Sequence, residues 1–220
     1  MDHIPGTATA QGGGFDPRQA AALLDQATAQ ARRAFTPLPP LLWIFRALVA
    51  LVVFGGCWLS VRGQHPYTGH ISGSVIAIAI VLVAVNIGWT AWAIGRAGTG
   101  VSGPAQRKWQ AWTGIMTAAW IIGYAVTAPL YHAGVSHPVW GLYPASAPLL
   151  IIGLAAAAVA AAFRYWPLAV TALAIAVTAA AAGFGGPAGS WLITGIGLCA
   201  VYLGFAAFTA WRQRRSMVRP

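Results

Sequence analysis

Six long apolar runs, parted by short polar or glycine- and proline-rich breaks, set the pattern of the chain: residues 41–61, 73–94, 110–128, 144–163, 167–185 and 190–211. A helix needs about 20 mostly apolar residues to cross the hydrocarbon of a bilayer, and every run meets or approaches that length. The pattern predicts an all-α, polytopic transmembrane bundle of six spans. Proline lacks the N–H that a helix interior uses, so Pro144 and Pro148 suit the start of the fourth span, which is expected at Pro144. The stretch GFGGPAG at 183–189 reads as a tight turn closing the fifth span.

Polar positions gather ahead of the first run. Residues 1–14 are rich in Gly, Thr and Ala and read as a disordered tail. Asp16-Pro17-Arg18-Gln19 then supplies a helix start, with Asp16 as cap and Pro17 at the first position. A helix over 15–36 follows, stopped by Thr36-Pro37-Leu38-Pro39-Pro40. Leu23, Leu24, Ala27, Ala31 and Phe35 give it a modest apolar stripe, with Arg32 and Arg33 nearest the membrane. Two roles fit: a cytoplasmic docking helix for a partner, or an interfacial helix lying on anionic headgroups. The first forty residues lack a basic tip followed by a short apolar core, so the amino terminus is expected to stay uncleaved. After the last run, 212–220 form a basic tail.

Charge adds a topology to this pattern. Only 7% of the residues are charged while 58% are hydrophobic, against about 25% charged in globular domains. Glu is absent, and the three acids are Asp2, Asp16 and Asp25, so no carboxylate side chain occurs from Gln26 to Pro220. A soluble domain, which needs interspersed charge of both signs on its surface, is excluded. With the amino terminus in the cytoplasm, Arg18, Arg32, Arg33, Arg46, Arg96, Arg107, Lys108, Arg164, Arg212, Arg214, Arg215 and Arg219 lie inside and Arg62 alone outside. That bias places both termini in the cytoplasm. Arg46 falls within the first run near its inner end, from which its side chain is expected to snorkel to the headgroups. Because the basic residues flank apolar runs and do not cluster on a folded face, they point to anionic lipid headgroups and away from nucleic acid. Tryptophans agree: Trp43, Trp109, Trp112, Trp166 and Trp211 fall at inner ends, Trp58, Trp140 and Trp191 at outer ends, and Trp120 mid-span.

Candidate chemistry is sparse. Two outer loops share an H-x4-H spacing, His65 with His70 and His132 with His137. Meeting in space, four imidazoles would bind zinc, copper or nickel or sense pH, although no carboxylate in these loops can orient a ring nitrogen. Solvated interfacial histidines are the plain alternative. Cys57 and Cys199 are isolated thiols within apolar runs and read as small core residues. The string GTGVSG at 98–103 matches G-x-G-x-x-G but joins two membrane helices, where a flexible linker is the expected role. Asn86 is the most polar mid-span side chain, accompanied by Thr117, Tyr124, Thr171, Thr178, Thr194 and Tyr202, residues that commonly bond one helix to another. Carboxylate-coupled transport, zinc proteolysis and a serine hydrolase elbow all lack their residues. The chain is therefore not expected to be an enzyme, and no cofactor is implied.

One internal match stands out. AVNIGWTAW at 84–92 aligns with AVYLGFAAF at 200–208, and arginine follows each, Arg96 and Arg212. Both carry a small-xxx-small pair, Ala84/Gly88 and Ala200/Gly204, of the kind that lets helices approach closely. Either a duplicated two-span hairpin or convergence on an inward-running helix accounts for it.

The order of features, an Asp16-Pro17 helix with Ala20, Leu23, Leu24 and Gln26, then six spans with Gly100-Val101-Ser102-Gly103-Pro104 after the second, resembles small, uncharacterised six-span membrane proteins of Ala-rich actinobacteria. The resemblance implies a bacterial plasma membrane and brings no activity, ligand or catalytic residue. The expected function is that of a non-enzymatic membrane component acting through helix packing, as a homo-oligomer or with a membrane or cytoplasmic partner. A transporter or exporter-like permease subunit is the alternative, and a metal or pH sensor built on the outer histidines the second.

Overall fold

The computed structural model describes residues 21–22, 39–98 and 104–217, with the backbone alone for 94–98, 104–111, 113, 128, 131, 140, 216 and 217. The expected tail at 1–14, nearly all of the helix expected at 15–36 with Arg32 and Arg33, most of the GTGVSG linker and residues 218–220 lie outside the described residues. The chain divides into two compact units, Met1–Thr36 and Pro37–Pro220. In the first, Ala21 and Ala22 are helical and exposed.

Among the described residues the second unit is helical and contains no strand. Its helices are α1 (Pro40–Val61), α2 (Gly73–Gly98), α3 (Pro104–Ala125), the short α4 (Thr127–His132), α5 (His137–Ala162), α6 (Trp166–Ala182) and α7 (Gly186–Met217), with a 3-10 turn at Gly183–Gly185 between the last two. Four stretches are long and apolar enough to cross a membrane: Pro40–Val61, Gly73–Ala93, His137–Ala162 and Trp166–Arg215. The last is two helices. The 3-10 turn interrupts it, and Gly186 takes φ 71, a left-handed conformation that glycine adopts without a Cβ clash. α6 and α7 then fold back on each other, with Gly197 seated against Thr178.

Two boundaries differ from the pattern-based expectation. The third run ends early: α3 stops at Ala125. Pro129 explains the break, because its ring clashes with the carbonyl four residues back and it has no N–H to donate. The Thr127 hydroxyl donates to the Tyr124 carbonyl across the break. The fourth run begins early: α5 starts at His137 with Pro138 in its first turn, and Pro144 and Pro148 lie inside it. Hydroxyls serve the disturbed stretch. Ser146 donates to the Leu142 carbonyl at 2.7 Å, and Thr194 of α7 donates to the Ala145 carbonyl at 2.8 Å. Membrane helices tolerate interior proline where neighbours supply donors in this way.

α1, α5, α6 and α7 form the packed core, α1 lying along α7 and α5 along α6. Glycines set the closest approaches. A Cβ on Gly153 would stand 2.8 Å from the Ala176 nitrogen, and one on Gly195 would stand 3.0 Å from the Phe54 Cβ. Three buried clusters run through this core: Trp43 with Phe205 and Ala206, then Ala50 with Leu149, Ala179 and Leu198, then Cys57 with Val61, Ala145 and Trp191. These pairings join residue 43 to 205 and residue 57 to 191, so α1 and α7 are antiparallel.

The two remaining long helices attach at the margins. α2 packs on α1, and α3 packs on α5 with Gly123 held against Pro148 and the Tyr143 hydroxyl donating to the Gly123 carbonyl at 2.9 Å. No residue of the α2 apolar stretch is buried, and Ile76, Ile78, Ile80, Val81, Val85 and Ile87 are all exposed. Exposed apolar surface costs about 25 cal/mol per Å² in water. Hydrocarbon removes that cost, which ties these helices to a membrane location.

Candidate functional site

Polar side chains are so rare in the described helices that their meeting points define the site. α1 and α2 run antiparallel, joined at one end by Ser60 and Ser72, whose hydroxyls lie 3.4 Å apart, and at the other by Arg46 and Thr90. The Arg46 guanidinium donates to the Thr90 hydroxyl at 3.0 Å, and Thr90 donates to the Asn86 carbonyl one turn back at 2.7 Å. Arg46 also lies over the Trp43 ring, 4.6 Å from its centroid. That stacking follows from helix geometry, since side chains lean toward the N-terminus and residues three apart share a face. Trp43 in turn meets α7, edge-on to Phe205 at 4.5 Å and tilted against Tyr202 at 6.0 Å. Phe45 and Trp89 close the same end of the α1–α2 seam, with ring centroids 5.1 Å apart.

Arg46 thus joins α1 to α2, beside the Trp43 ring that meets α7, near the end of α1 toward which its side chain is expected to snorkel. Four buried side-chain polar atoms lack a hydrogen-bond partner among the described residues: Trp43 Nε1, Arg46 Nε, Asn86 Oδ1 and Trp191 Nε1. The first two belong to the stacked Trp43–Arg46 pair. Unpaired buried polar atoms cost about 1–3 kcal/mol each. Periodicity placed Trp43 at an interface and Asn86 between helices, but missed Thr90. The available signal was its spacing, since Asn86 and Thr90 stand one turn apart on a single face of α2.

The loop between α1 and α2 is ordered by Gln64 and Tyr67. Gln64 donates to the Ser60 and His70 carbonyls at 3.0 and 2.6 Å and accepts from the Thr68 hydroxyl at 2.8 Å. Tyr67 inserts against Gly141 of α5 and donates to the Pro187 carbonyl at 3.3 Å. Burial pushes its phenol above the ordinary tyrosine value. The four histidines stay on the surface: His65, His70, His132 and His137 are all exposed. Among the described residues, no three of His, Cys, Asp and Glu come close enough to hold a metal ion, so the four-imidazole cluster is not assembled. The carbonyl of His70, and not its ring, enters the loop's bonding.

Among the described residues, neither small-residue pair lies at a close helix contact. Ala84, Gly88, Ala200 and Gly204 are exposed, and a Cβ on Gly88 or Gly204 would have nothing within 4 Å. The close approaches fall at Gly153 and Gly195 instead. Cys57 is buried, Cys199 half-buried, and both thiols are free. Arg96, Arg107 and Lys108 lie on the helical backbone around the α2–α3 connection, Arg164 in the α5–α6 turn, and Arg212, Arg214 and Arg215 in the last turns of α7. Arg215 covers the Trp211 ring at 4.0 Å, whereas Arg62, after α1, covers Trp58 at 4.8 Å.

No protein-family model, curated protein or solved structure matches the chain.

Proposed function

We propose that the protein is a six-span integral component of a bacterial plasma membrane, with both termini cytoplasmic, that acts without catalysis through lateral packing with a second copy or another membrane protein. The crossings are α1, α2, α3 with α4, α5, α6 and α7. The observation that carries the reading is the marginal attachment of α2, which lies against α1 and has no buried residue along its apolar stretch. Its outward Ala84 and Gly88 present a flat surface on which another helix can approach closely. The lack of any carboxylate side chain after Asp25 supports a non-enzymatic role, because general acid–base work and proton coupling in membranes draw heavily on Asp and Glu. Single cysteines at Ala84 and Gly88, in a chain with Cys57 and Cys199 replaced by Ala, test it by oxidative crosslinking in native membranes. A crosslinked species at both positions, absent for a cysteine at Gly153, is expected. Uniformly monomeric, partner-free chains at every position would refute lateral packing along α2.

A transporter subunit is the second reading, favoured by Arg46, since ionisable groups enclosed in membrane helices commonly lie on substrate paths. Co-purification of an ATP-hydrolysing protein in mild detergent would favour it.

A further inference from the structure

An open apolar groove of about 450 Å³ runs between α1 and α2, its lining including Leu51, Gly55, Trp58 and Leu59 of α1 with Val75 and Ile78 of α2. Glycine opens it, since a Cβ on Gly55 would have nothing within 4 Å. Beside it the two helices touch: a Cβ on Gly56 would stand 3.3 Å from the Val75 Cγ1. A cation stands at one end of the groove. Arg62, the one Lys or Arg between Arg46 and Arg96, is the C-cap residue of α1 and keeps helical angles, φ -63 and ψ -19. At 3.6 residues per turn, positions 51, 55, 58, 59 and 62 share one stripe of the helix. The Arg62 side chain is exposed and lies over the Trp58 ring, 4.8 Å from its centroid. Trp58 therefore belongs to both the groove and the cation. No Asp or Glu occurs among residues 26–220 to neutralise that charge.

Depth and width restrict the occupant. α1 has 22 residues, a length of about 33 Å, close to the ~30 Å of bilayer hydrocarbon. Arg62, just past its last residue, stands at headgroup level, and the groove lies below it in the hydrocarbon. From Leu51 to Leu59 the groove follows α1 for about 12 Å. A wedge between two touching helices admits an acyl chain, whereas a helix about 10–12 Å across does not enter it. A chain lying in the groove brings its phosphate up to the guanidinium.

We propose that Arg62 and this groove bind one anionic phospholipid of the leaflet at the α1–α2 loop. The guanidinium donates to phosphate oxygens, and an acyl chain lies along Leu51, Gly55 and Leu59. Charge selects the headgroup: an uncompensated cation favours a net negative lipid over a zwitterionic one, which brings its own ammonium beside the phosphate.

Phosphatidylglycerol and phosphatidylcholine probes, each with a photoreactive diazirine on one acyl chain, test the proposal with the full chain in nanodiscs. Mass spectrometry then maps the adducts. In the wild type, adducts at Leu51, Leu59 and Ile78 are expected about fivefold more often with the phosphatidylglycerol probe, the worth of one basic residue beside an anionic headgroup. Arg62→Gln should bring that yield down to the phosphatidylcholine level, and Arg62→Lys should keep most of the preference. Gly55→Leu fills the groove without touching the cation and should lower the yield with both probes. It decides the matter if Arg62→Gln does not fold. Equal yields with both probes in the wild type, a preference that survives Arg62→Gln, or an undiminished yield in Gly55→Leu each overturns the site. So does Arg62-dependent thermal stabilisation by inorganic phosphate without lipid preference, which would assign the guanidinium to free phosphate. A disulfide between two copies carrying Leu51→Cys, with Cys57 and Cys199 replaced by Ala, would give the groove to a second chain and overturn the lipid. The site rests on the membrane reading above, and an alkaline carbonate wash separates the two. A chain extracted by the wash defeats the membrane reading, whereas a chain retained in membranes without phosphatidylglycerol preference defeats only the lipid site.

Discussion

Glycine has opposite meanings at different positions in this chain, and the difference is measurable. At Gly153 the backbone of α6 comes so close that a methyl group would stand 2.8 Å from the Ala176 nitrogen and 2.9 Å from the Ala172 carbonyl oxygen. At Gly88 and Gly204 there is open space. Gly153→Ala is therefore expected to destabilise the bundle by about 1–3 kcal/mol, the usual cost of overpacking, while Gly88→Ala and Gly204→Ala are neutral or slightly stabilising. Thermal unfolding in detergent would check the contrast, and equal effects at all three positions would refute the packing described. Sequence spacing picked out Gly88 and Gly204, whereas close contacts among the described residues fall at glycines such as Gly153 and Gly195. A small-xxx-small pair shows that a face is flat, but only the packed partner shows whether that face is used. Arg46 carries the same lesson. Its position near a helix end and its stacking on Trp43, three residues back, were legible, whereas its bond to Thr90 depends on a second helix.

At the level of elements, apolar length was a sound guide and local breakers were harder to weigh. α1, α2 and α7 stand close to the runs that predicted them. α5 does not, because Pro144 and Pro148 were given the weight they carry in water. The turn between α5 and α6 offers a sharp test. Arg164 has φ 58, its N–H donates to the Ala161 carbonyl at 2.9 Å, and the Tyr165 N–H donates to the Ala160 carbonyl at 2.8 Å. This is the double bond pattern of a Schellman helix end, whose left-handed position normally holds glycine. An L-residue there costs roughly 1–2 kcal/mol, and the greater freedom of glycine in the unfolded chain offsets part of that. Arg164→Gly is expected to be more stable than Arg164→Ala by about 1 kcal/mol. The comparison removes the charge in both variants, so only the backbone differs. Equal unfolding temperatures would contradict the turn geometry.

For the whole molecule, the scarcity of charge ties the helices to a membrane. The packed core of α1, α5, α6 and α7 leaves α2 and α3 at the margins with apolar faces uncovered, an arrangement that hydrocarbon permits and water would not. The histidines that share a spacing in the sequence are all exposed, and no three of them come together among the described residues. The central claim is that α6 and α7 are separate crossings in a six-span chain with both ends in the cytoplasm. Paired reporters, one active only inside and one only outside, fused after Gln64, Gly100, Val135, Arg164, Gly186 and Pro220, test it most directly. The account predicts outside, inside, outside, inside, outside and inside in that order. A cytoplasmic signal after Val135, or the same side reported after Arg164 and Gly186, would contradict it.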